Sequence, residues 1–127
     1  MIYSGTKLIC NDNSGAFIVK CIGIRKSSKH KGATIGDLII VSVKSCLKGI
    51  GRVQKGSIHY GVIVWLKLNI NWFNKVANYI RFTNNNIVLV SKKNNYAPVG
   101  TWIFGPVAKE VRKAIFIKIV LLSAGVF

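Results

Sequence analysis

Short runs of β-branched and aliphatic residues alternate with polar, glycine-containing segments along most of the chain. Apolar runs of this length predict β-strands. The clearest is Ser57–Lys67, in which every second residue from Ile58 to Leu66 is apolar or aromatic. In Ala16–Arg25, apolar residues occupy both sides of the alternation, so we expect both faces of that strand to be largely covered. The other predicted strands are Lys7–Asn11, Asp37–Lys44 and Ile87–Ser91.

Polar turns separate the predicted strands. Asn11–Gly15 combines Asx and glycine residues, which tolerate left-handed backbone conformations. Lys26–Gly36 is basic and has no large apolar residue before Ile35, which indicates an exposed hairpin loop. Gly51–Gly56 is a second basic turn, and Asn69–Asn78 is polar and aromatic. Regularly spaced strands with such turns favour a small closed barrel, because closure removes exposed strand edges.

Helix is predicted only near the C terminus. Gly100 and Gly105 flank an aromatic corner and permit positive φ there, and we expect Ile103 and Phe104 within it to be core residues. Pro106 suits a first helical turn, after which Val107 and Val111 share one face. The apolar run Ile115–Leu122 predicts a second short helix, with a strand as the alternative. The expected organisation is one domain over residues 1–127, with a barrel to about residue 100 and a helical segment over about 101–127.

The charge of the chain points to a polyanionic partner. Nineteen Lys and Arg residues face three acidic ones, which gives a formal net charge of +16. Self-repulsion of this size destabilises a compact state unless an anion screens it. Since the basic residues are spread along the whole chain, nucleic acid touching several sides of the protein is the leading candidate.

The residue inventory does not indicate an enzyme. Asp12, Asp37 and Glu110 are far apart in sequence, and each has a structural role available in a turn, at a strand start or in a first helical turn. His30 and His59 have no Cys or carboxylate at catalytic or metal-ligand spacing. We therefore expect no catalytic residues, metal or cofactor.

The cysteines and the hydropathy pattern exclude two further classes. Cys10, Cys21 and Cys46 show no paired spacing, so neither a disulfide framework nor a zinc site is indicated and mostly buried, reduced thiols are expected. No apolar run reaches the roughly 20 residues that a membrane span needs. A membrane-spanning protein is therefore not expected.

Five collinear motifs resemble the universal large-subunit ribosomal protein L-fourteen family. They are DNSGA (Asp12–Ala16), Gly36–Asp37, VQKG (Val53–Gly56), PVGTWIFGPV with KEVR (Pro98–Arg112) and FIKIVLL (Phe116–Leu122). Together they cover nearly the whole chain in that family's order. The chain departs from the family at Trp102 and Phe17, where the family commonly has Arg, and at Val76–Ala77, where it has an Asp-Gly turn.

The resemblance implies a mainly β fold, a small five-stranded OB-like barrel with a projecting hairpin and a pair of short C-terminal helices. It also implies a place on large-subunit rRNA at the subunit interface, with bridges to small-subunit rRNA. Neighbours would be proteins of the L-three and L-nineteen families. A ribosome-silencing factor would dock at Thr101, Trp102 and Lys118, and Trp102 puts that partner in question.

Basic side chains in turns and at strand ends are the expected rRNA contacts, because folded RNA is recognised mainly through phosphate and shape. They are Lys26, Lys29, His30, Lys31, Lys44, Lys48, Arg52, Lys55, Arg81 and Arg112. Trp72 and Phe73 are expected to dock RNA or a neighbouring protein, whereas Trp65 is expected to pack within its strand. Asn13 and Ser14 could offer amides to a phosphate or form a local Asx turn.

Two further questions concern function and location. The alternative function is a free-standing OB-type single-strand binder, which needs aromatic residues exposed on one sheet face.

Ile, Lys and Asn are abundant, and all three can be encoded by codons of A and T alone. Together with the aromatic replacements of Arg, this favours a mitochondrial ribosome, with plastid and bacterial ribosomes as alternatives.

Overall fold

Six strands and one α-helix form within residues 2–25, 32–46, 53–67, 84–105, 107, 111 and 116–123, which are those that the computed structural model describes. The strands are β1 (Lys7–Cys10), β2 (Ala16–Ile24), β3 (Leu38–Cys46), β4 (Ile58–Trp65), β5 (Asn86–Ser91) and β6 (Ala97–Pro98). The helix α1 spans Ile117–Leu122, and a short 3-10 turn at Lys92–Asn94 links β5 to β6. All five predicted strands are confirmed, with small shifts at their ends.

The strands close into a barrel. Each strand from β1 to β6 pairs with the next in antiparallel fashion. β1 also pairs in parallel with β5, where Ile9 lies opposite Asn86 and Cys10 opposite Ile87. This parallel pair closes β1–β5 into a five-stranded mixed barrel, and β6 extends it by one strand beside β5. The predicted barrel is therefore confirmed.

The core is built mostly from β-branched side chains that the barrel encloses. Val19, Val41 and Val43 on β2 and β3 are fully buried, as are Val62 and Val64 on β4. The C-terminal segment joins the same hydrophobic cluster through Ile103, Val107, Val111, Phe116 and Ile119. This segment therefore packs on the barrel and shares its core.

β2 corrects one prediction, because two of its large apolar residues are exposed. Phe17 is 51% exposed and Ile22 is 43% exposed. The pairing of β2 with β3 shifts register between Ala16 and Ile18 and again between Cys21 and Gly23, so each exposed residue is the extra one in a β-bulge. A bulged residue leaves the regular alternation of faces. The prediction that both faces of this strand are covered is wrong at these two positions.

The C-terminal predictions are settled in part. α1 lies within the apolar run Ile115–Leu122, so that run forms a helix and not a strand. Of the helix predicted after Pro106, Val107 and Val111 are described and both are buried, whereas the remaining positions lie outside the described residues. The exposed loop predicted over Lys26–Gly36 is wrong for its described part, because Ala33 and Ile35 are buried and Ala33 forms a β-bridge with Ile2. Residues 26–31 of that predicted loop and the predicted turn at 69–78 lie outside the described residues.

Candidate RNA and protein interface

The turn after β1 is organised around the buried carboxylate of Asp12. Its Oδ1 atom accepts hydrogen bonds from the Ser14 hydroxyl at 2.6 Å, the Ser14 amide at 3.3 Å and the Cys10 thiol at 3.0 Å. Its Oδ2 atom accepts from the Leu89 amide at 3.1 Å, which ties the turn to β5. Burial, reinforced by the Asp12 carboxylate, raises the pKa of the Cys10 thiol far above its ordinary value. Ser14 thus serves the local turn, and its amide is not directed at a phosphate.

Asn13 clamps this turn to the aromatic corner after β6. Its Oδ1 atom accepts from the amides of Thr101 at 2.8 Å and Trp102 at 3.0 Å, and its Nδ2 atom donates to the Thr101 hydroxyl at 2.9 Å. A Cβ on Gly100 would lie 2.5 Å from Asn13 Oδ1. Of the two glycines that flank the corner, Gly105 adopts a positive φ of 74°, whereas Gly100 does not, and glycine is required there by the close approach of Asn13.

The corner directs two aromatic rings to the surface. Trp102 is 63% exposed and Phe104 is 50% exposed, whereas Ile103 between them is buried. The two ring centroids are 5.9 Å apart with planes tilted by 36°. Phe104 is fixed through its backbone, because its amide donates to Asn11 O and its carbonyl accepts from Asn11 Nδ2, both at 2.7 Å. Ile103 is thus confirmed as a core residue, whereas the prediction for Phe104 is wrong.

The third predicted docking residue lies on the helix that packs beside this corner. α1 contacts β6, the strand that leads into Thr101. Ile119 faces the core, whereas Lys118 is exposed and Leu121 is 75% exposed. The described structure thus leaves Thr101, Trp102 and Lys118 all accessible at the surface.

Two of the predicted RNA contacts are described, and both are exposed. Lys44 occupies the extra position of a bulge in β3, between Val43 and Ser45. Lys55 lies in the tight turn before β4, next to Gly56 with φ of 86°. The remaining predicted contacts lie outside the described residues: Lys26, Lys29, His30, Lys31, Lys48, Arg52, Arg81 and Arg112, together with the aromatic pair Trp72 and Phe73.

The cysteines and Trp65 have the surroundings that the sequence predicts. All three cysteines are free thiols, with Cys10 and Cys21 buried and Cys46 half-buried, as predicted. Trp65 packs against the core, also as predicted. Within the described ranges, no group of three or more His, Cys, Asp or Glu side chains could hold a metal ion. The same part of the chain contains no helix long and apolar enough to cross a membrane.

The family assignment follows from comparison with known families. The sequence model of the family described as Ribosomal protein L14p/L23e matches residues 1–127, the whole chain. The protein belongs to the L14p/L23e family. This confirms the resemblance carried by the five motifs and makes the protein a structural constituent of the ribosome. Membership of a family of structural proteins also agrees with the expectation that it is not an enzyme.

One charged surface of this L14p/L23e protein was not selected from the sequence. Lys92 and Lys93 are exposed on the 3-10 turn after β5, and Lys92 Nζ lies 5.9 Å from the centroid of the Tyr60 ring on β4. Arg25 approaches the same ring, with Cζ at 5.8 Å from the centroid. In the sequence, only the two adjacent lysines indicate this charged surface. Their position beside Tyr60 was not predictable, because it depends on the pairing of β4 with β5.

Proposed function

We propose that this protein binds large-subunit rRNA at the face of the large subunit that meets the small subunit, and that it contributes to bridges with small-subunit rRNA. The observation that carries the proposal is the match of the L14p/L23e family along the whole chain. The formal charge of +16 supports it, since self-repulsion of this size destabilises the compact state and a surrounding polyanion relieves it.

Exposed lysines in turns and bulges supply the RNA-binding chemistry. Lys44 lies at a bulge and Lys55 in a tight turn, and both side chains are exposed to solvent. An ammonium group set against a phosphate releases condensed counterions, so affinity falls with salt. The eight basic side chains outside the described residues are proposed to act in the same way.

The aromatic corner is proposed to dock protein. Trp102 and Phe104 expose adjacent rings on a backbone fixed by Asn13 and Asn11, which is a rigid and mostly apolar surface. Adjacent exposed aromatic rings of this kind are typical of surfaces that bind another protein. The partners proposed here are neighbouring ribosomal proteins of the L-three and L-nineteen families. A ribosome-silencing factor that uses Thr101, Trp102 and Lys118 is the further candidate, and Trp72 and Phe73 are proposed to add to the docking surface.

The alternative of a free-standing single-strand binder is not favoured. That function needs aromatic rings exposed along one sheet face. In the described residues, the exposed aromatic side chains are instead Tyr3 before β1, Phe17 at a bulge, and Trp102 and Phe104 at the corner. They occupy the margins of the barrel and do not form a stacking platform on it.

A mitochondrial ribosome is the proposed location. The support is the abundance of residues encoded by A and T codons and the presence of Phe17 and Trp102 where the family commonly has Arg. Both of these aromatic side chains are exposed in the isolated chain. Exposed aromatic side chains are expected on a surface that another protein covers in the assembled ribosome. Plastid and bacterial ribosomes are the alternatives.

Sedimentation of ribosomes through a high-salt gradient tests the proposal. The protein, followed by mass spectrometry, should remain with the large subunit after the wash. Release into the light fractions, or migration with free single-stranded nucleic acid, would contradict it. Fractions from purified mitochondria, plastids and cytosol then distinguish the three locations.

Three single substitutions test the lysine contacts. Lys44→Gln and Lys55→Gln should each lower the logarithmic salt slope for binding to a large-subunit rRNA fragment by about 0.7–0.9. Lys118→Gln removes an exposed charge from the proposed protein-docking surface and should leave that slope unchanged. Equal effects of all three substitutions would argue against specific contacts.

A further inference from the structure

A basic groove lies where the start of β4 meets the end of β5. It has a volume of about 460 Å³ and is lined by Ile58 and Tyr60 from β4, by Lys92 and Lys93 from the 3-10 turn, and by Pro98 from β6. Part of the lining is apolar, since Pro98 and the 64% exposed Ile58 both contribute to it. Lys92 and Lys93 give the same lining its positive charge. A ligand that fills this groove must therefore combine an apolar or aromatic face with negative charge.

The positive charge at the groove is not neutralised by the described part of the protein. Lys92 and Arg25 each approach the Tyr60 ring, whose electron-rich face attracts cations only weakly at exposed sites. Of the acidic residues in the described ranges, Asp12 is buried among its own donors, and Asp37 accepts from the amide and hydroxyl of Thr34. The cations around Tyr60 are thus left to an external anion.

We propose that this groove binds an unpaired nucleotide of RNA, with its phosphate on Lys92 and Lys93 and its base against Ile58 and the edge of Tyr60. The proposal rests on the RNA-binding function proposed above and adds a site that the predicted contacts do not include. An unpaired nucleotide offers both an accessible base face and a phosphate, whereas the bases of a duplex are stacked inside the helix.

The anchoring of the groove makes it a preformed site. Val90 of β5 is paired with Pro98 of β6, so the 3-10 turn that carries both lysines is held at its two ends by the sheet. Asn95 and Tyr96 complete the turn with φ of 54° and 59°, and the Tyr96 amide donates to Ser91 O at 2.8 Å. The lysine stems therefore leave a fixed backbone, so little backbone order has to be gained when a nucleotide binds.

Binding of a short unpaired RNA oligonucleotide and of a duplex of the same length to the full chain tests the groove. The double variant Lys92→Gln, Lys93→Gln should lower the logarithmic salt slope for the unpaired RNA by about 1.4, which is two contacts at about 0.7 each. The control Lys7→Gln, Lys67→Gln removes the same charge from exposed positions outside the groove lining and should leave the slope unchanged. Ile58→Glu places a carboxylate in the apolar part of the lining and should weaken binding of the unpaired RNA more than of the duplex.

Three results would overturn the proposal. Equal slopes for both double variants would show diffuse attraction and no site. An unchanged slope for the groove variant would show that RNA does not enter. Binding of an acidic peptide that depends on Lys92 and Lys93, with RNA binding unaffected, would assign the groove to a protein partner. Because sedimentation tests ribosome association with the unmodified protein, failure of the groove alone is separable from failure of the proposed function.

Discussion

Substitution of Gly100 by Ala tests whether the clamp between Asn13 and the aromatic corner is as tight as the structure shows. The added methyl group would lie 2.5 Å from Asn13 Oδ1, 3.1 Å from the Ser14 amide nitrogen and 3.3 Å from the Asn13 amide nitrogen. The first distance is too short for any contact between a carbon and an oxygen atom. The Asn13 side chain must therefore move away.

The cost follows from the hydrogen bonds that Asn13 then loses. Its Oδ1 atom accepts from the amides of Thr101 and Trp102, and its Nδ2 atom donates to the Thr101 hydroxyl. At about 0.5–1.5 kcal/mol for each net hydrogen bond, Gly100→Ala should lower the free energy of unfolding by about 1.5–4.5 kcal/mol. Urea denaturation followed by tryptophan fluorescence measures this value. Hydrogen exchange at the Thr101 and Trp102 amides should accelerate by a corresponding factor.

A double-mutant cycle separates the clamp from general strain. Asn13→Ala alone should cost about as much as Gly100→Ala, and in the Asn13→Ala background the added methyl group meets only the two backbone nitrogens. The second substitution should then cost less than about 1 kcal/mol, so the two effects should not add. Gly23→Ala is the control, because a Cβ there lies 3.7 Å from its nearest neighbour and alanine loses less conformational entropy than glycine in a strand, so it should not lower the free energy of unfolding and should raise it by up to about 1 kcal/mol. Additive costs in the cycle, or a Gly100→Ala effect as small as the control, would refute the reasoning.

Three further predictions concern buried and half-buried polar groups. Burial and the Asp12 carboxylate raise the pKa of the Cys10 thiol, so Cys10 should resist alkylation in the folded protein while half-buried Cys46 reacts. Peptide mass spectrometry measures both, and protection of both thiols or of neither would contradict this. Asp12→Asn should lower the free energy of unfolding by about 1–3 kcal/mol, because the amide nitrogen that replaces one carboxylate oxygen cannot accept a hydrogen bond. Either the Leu89 amide or the Ser14 and Cys10 donors then lose their buried acceptor; an unchanged denaturation midpoint would count against this. Partial burial lowers the pKa of His59 below its ordinary 6.5 against a weaker opposing effect of Asp12, so the unfolded state takes up the proton first and stability should fall as pH drops below about 6.5. His59→Gln should remove that part of the pH dependence, and identical pH profiles for the two proteins would show that His59 does not contribute.

Much of the fold was predictable from local patterns. Ser57–Lys67 was recognisable as a strand because a pleated strand places alternate residues on opposite faces, and Ile87–Ser91 because it is a short run of aliphatic, mostly β-branched residues. Gly56 was recognisable as a turn residue next to a basic position. The five motifs identified the family because they occur along the chain in the family's order. This order can be read without knowing which motifs are neighbours in the folded protein.

The candidate site was predictable only in part. Thr101, Trp102 and Lys118 were named from the resemblance, and the structure leaves them exposed. The exposure of Phe104 was not predicted, because it depends on backbone hydrogen bonds to Asn11, which is far away in sequence. Lys92 and Lys93 gain their significance only from the neighbouring β4, which brings Tyr60 to them.

Local periodicity and long-range contact thus account for different parts of this protein. Residue type and spacing specify where strands and turns form, because those preferences act over a few neighbouring residues. The bulges that expose Phe17 and Ile22, the parallel closure of β1 on β5 and the clamp of Asn13 on Thr101, 88 residues away, all depend on which strands become neighbours. Strand pairing is decided by the barrel as a whole, since each register must satisfy the hydrogen bonds and the packing of both adjacent strands at once.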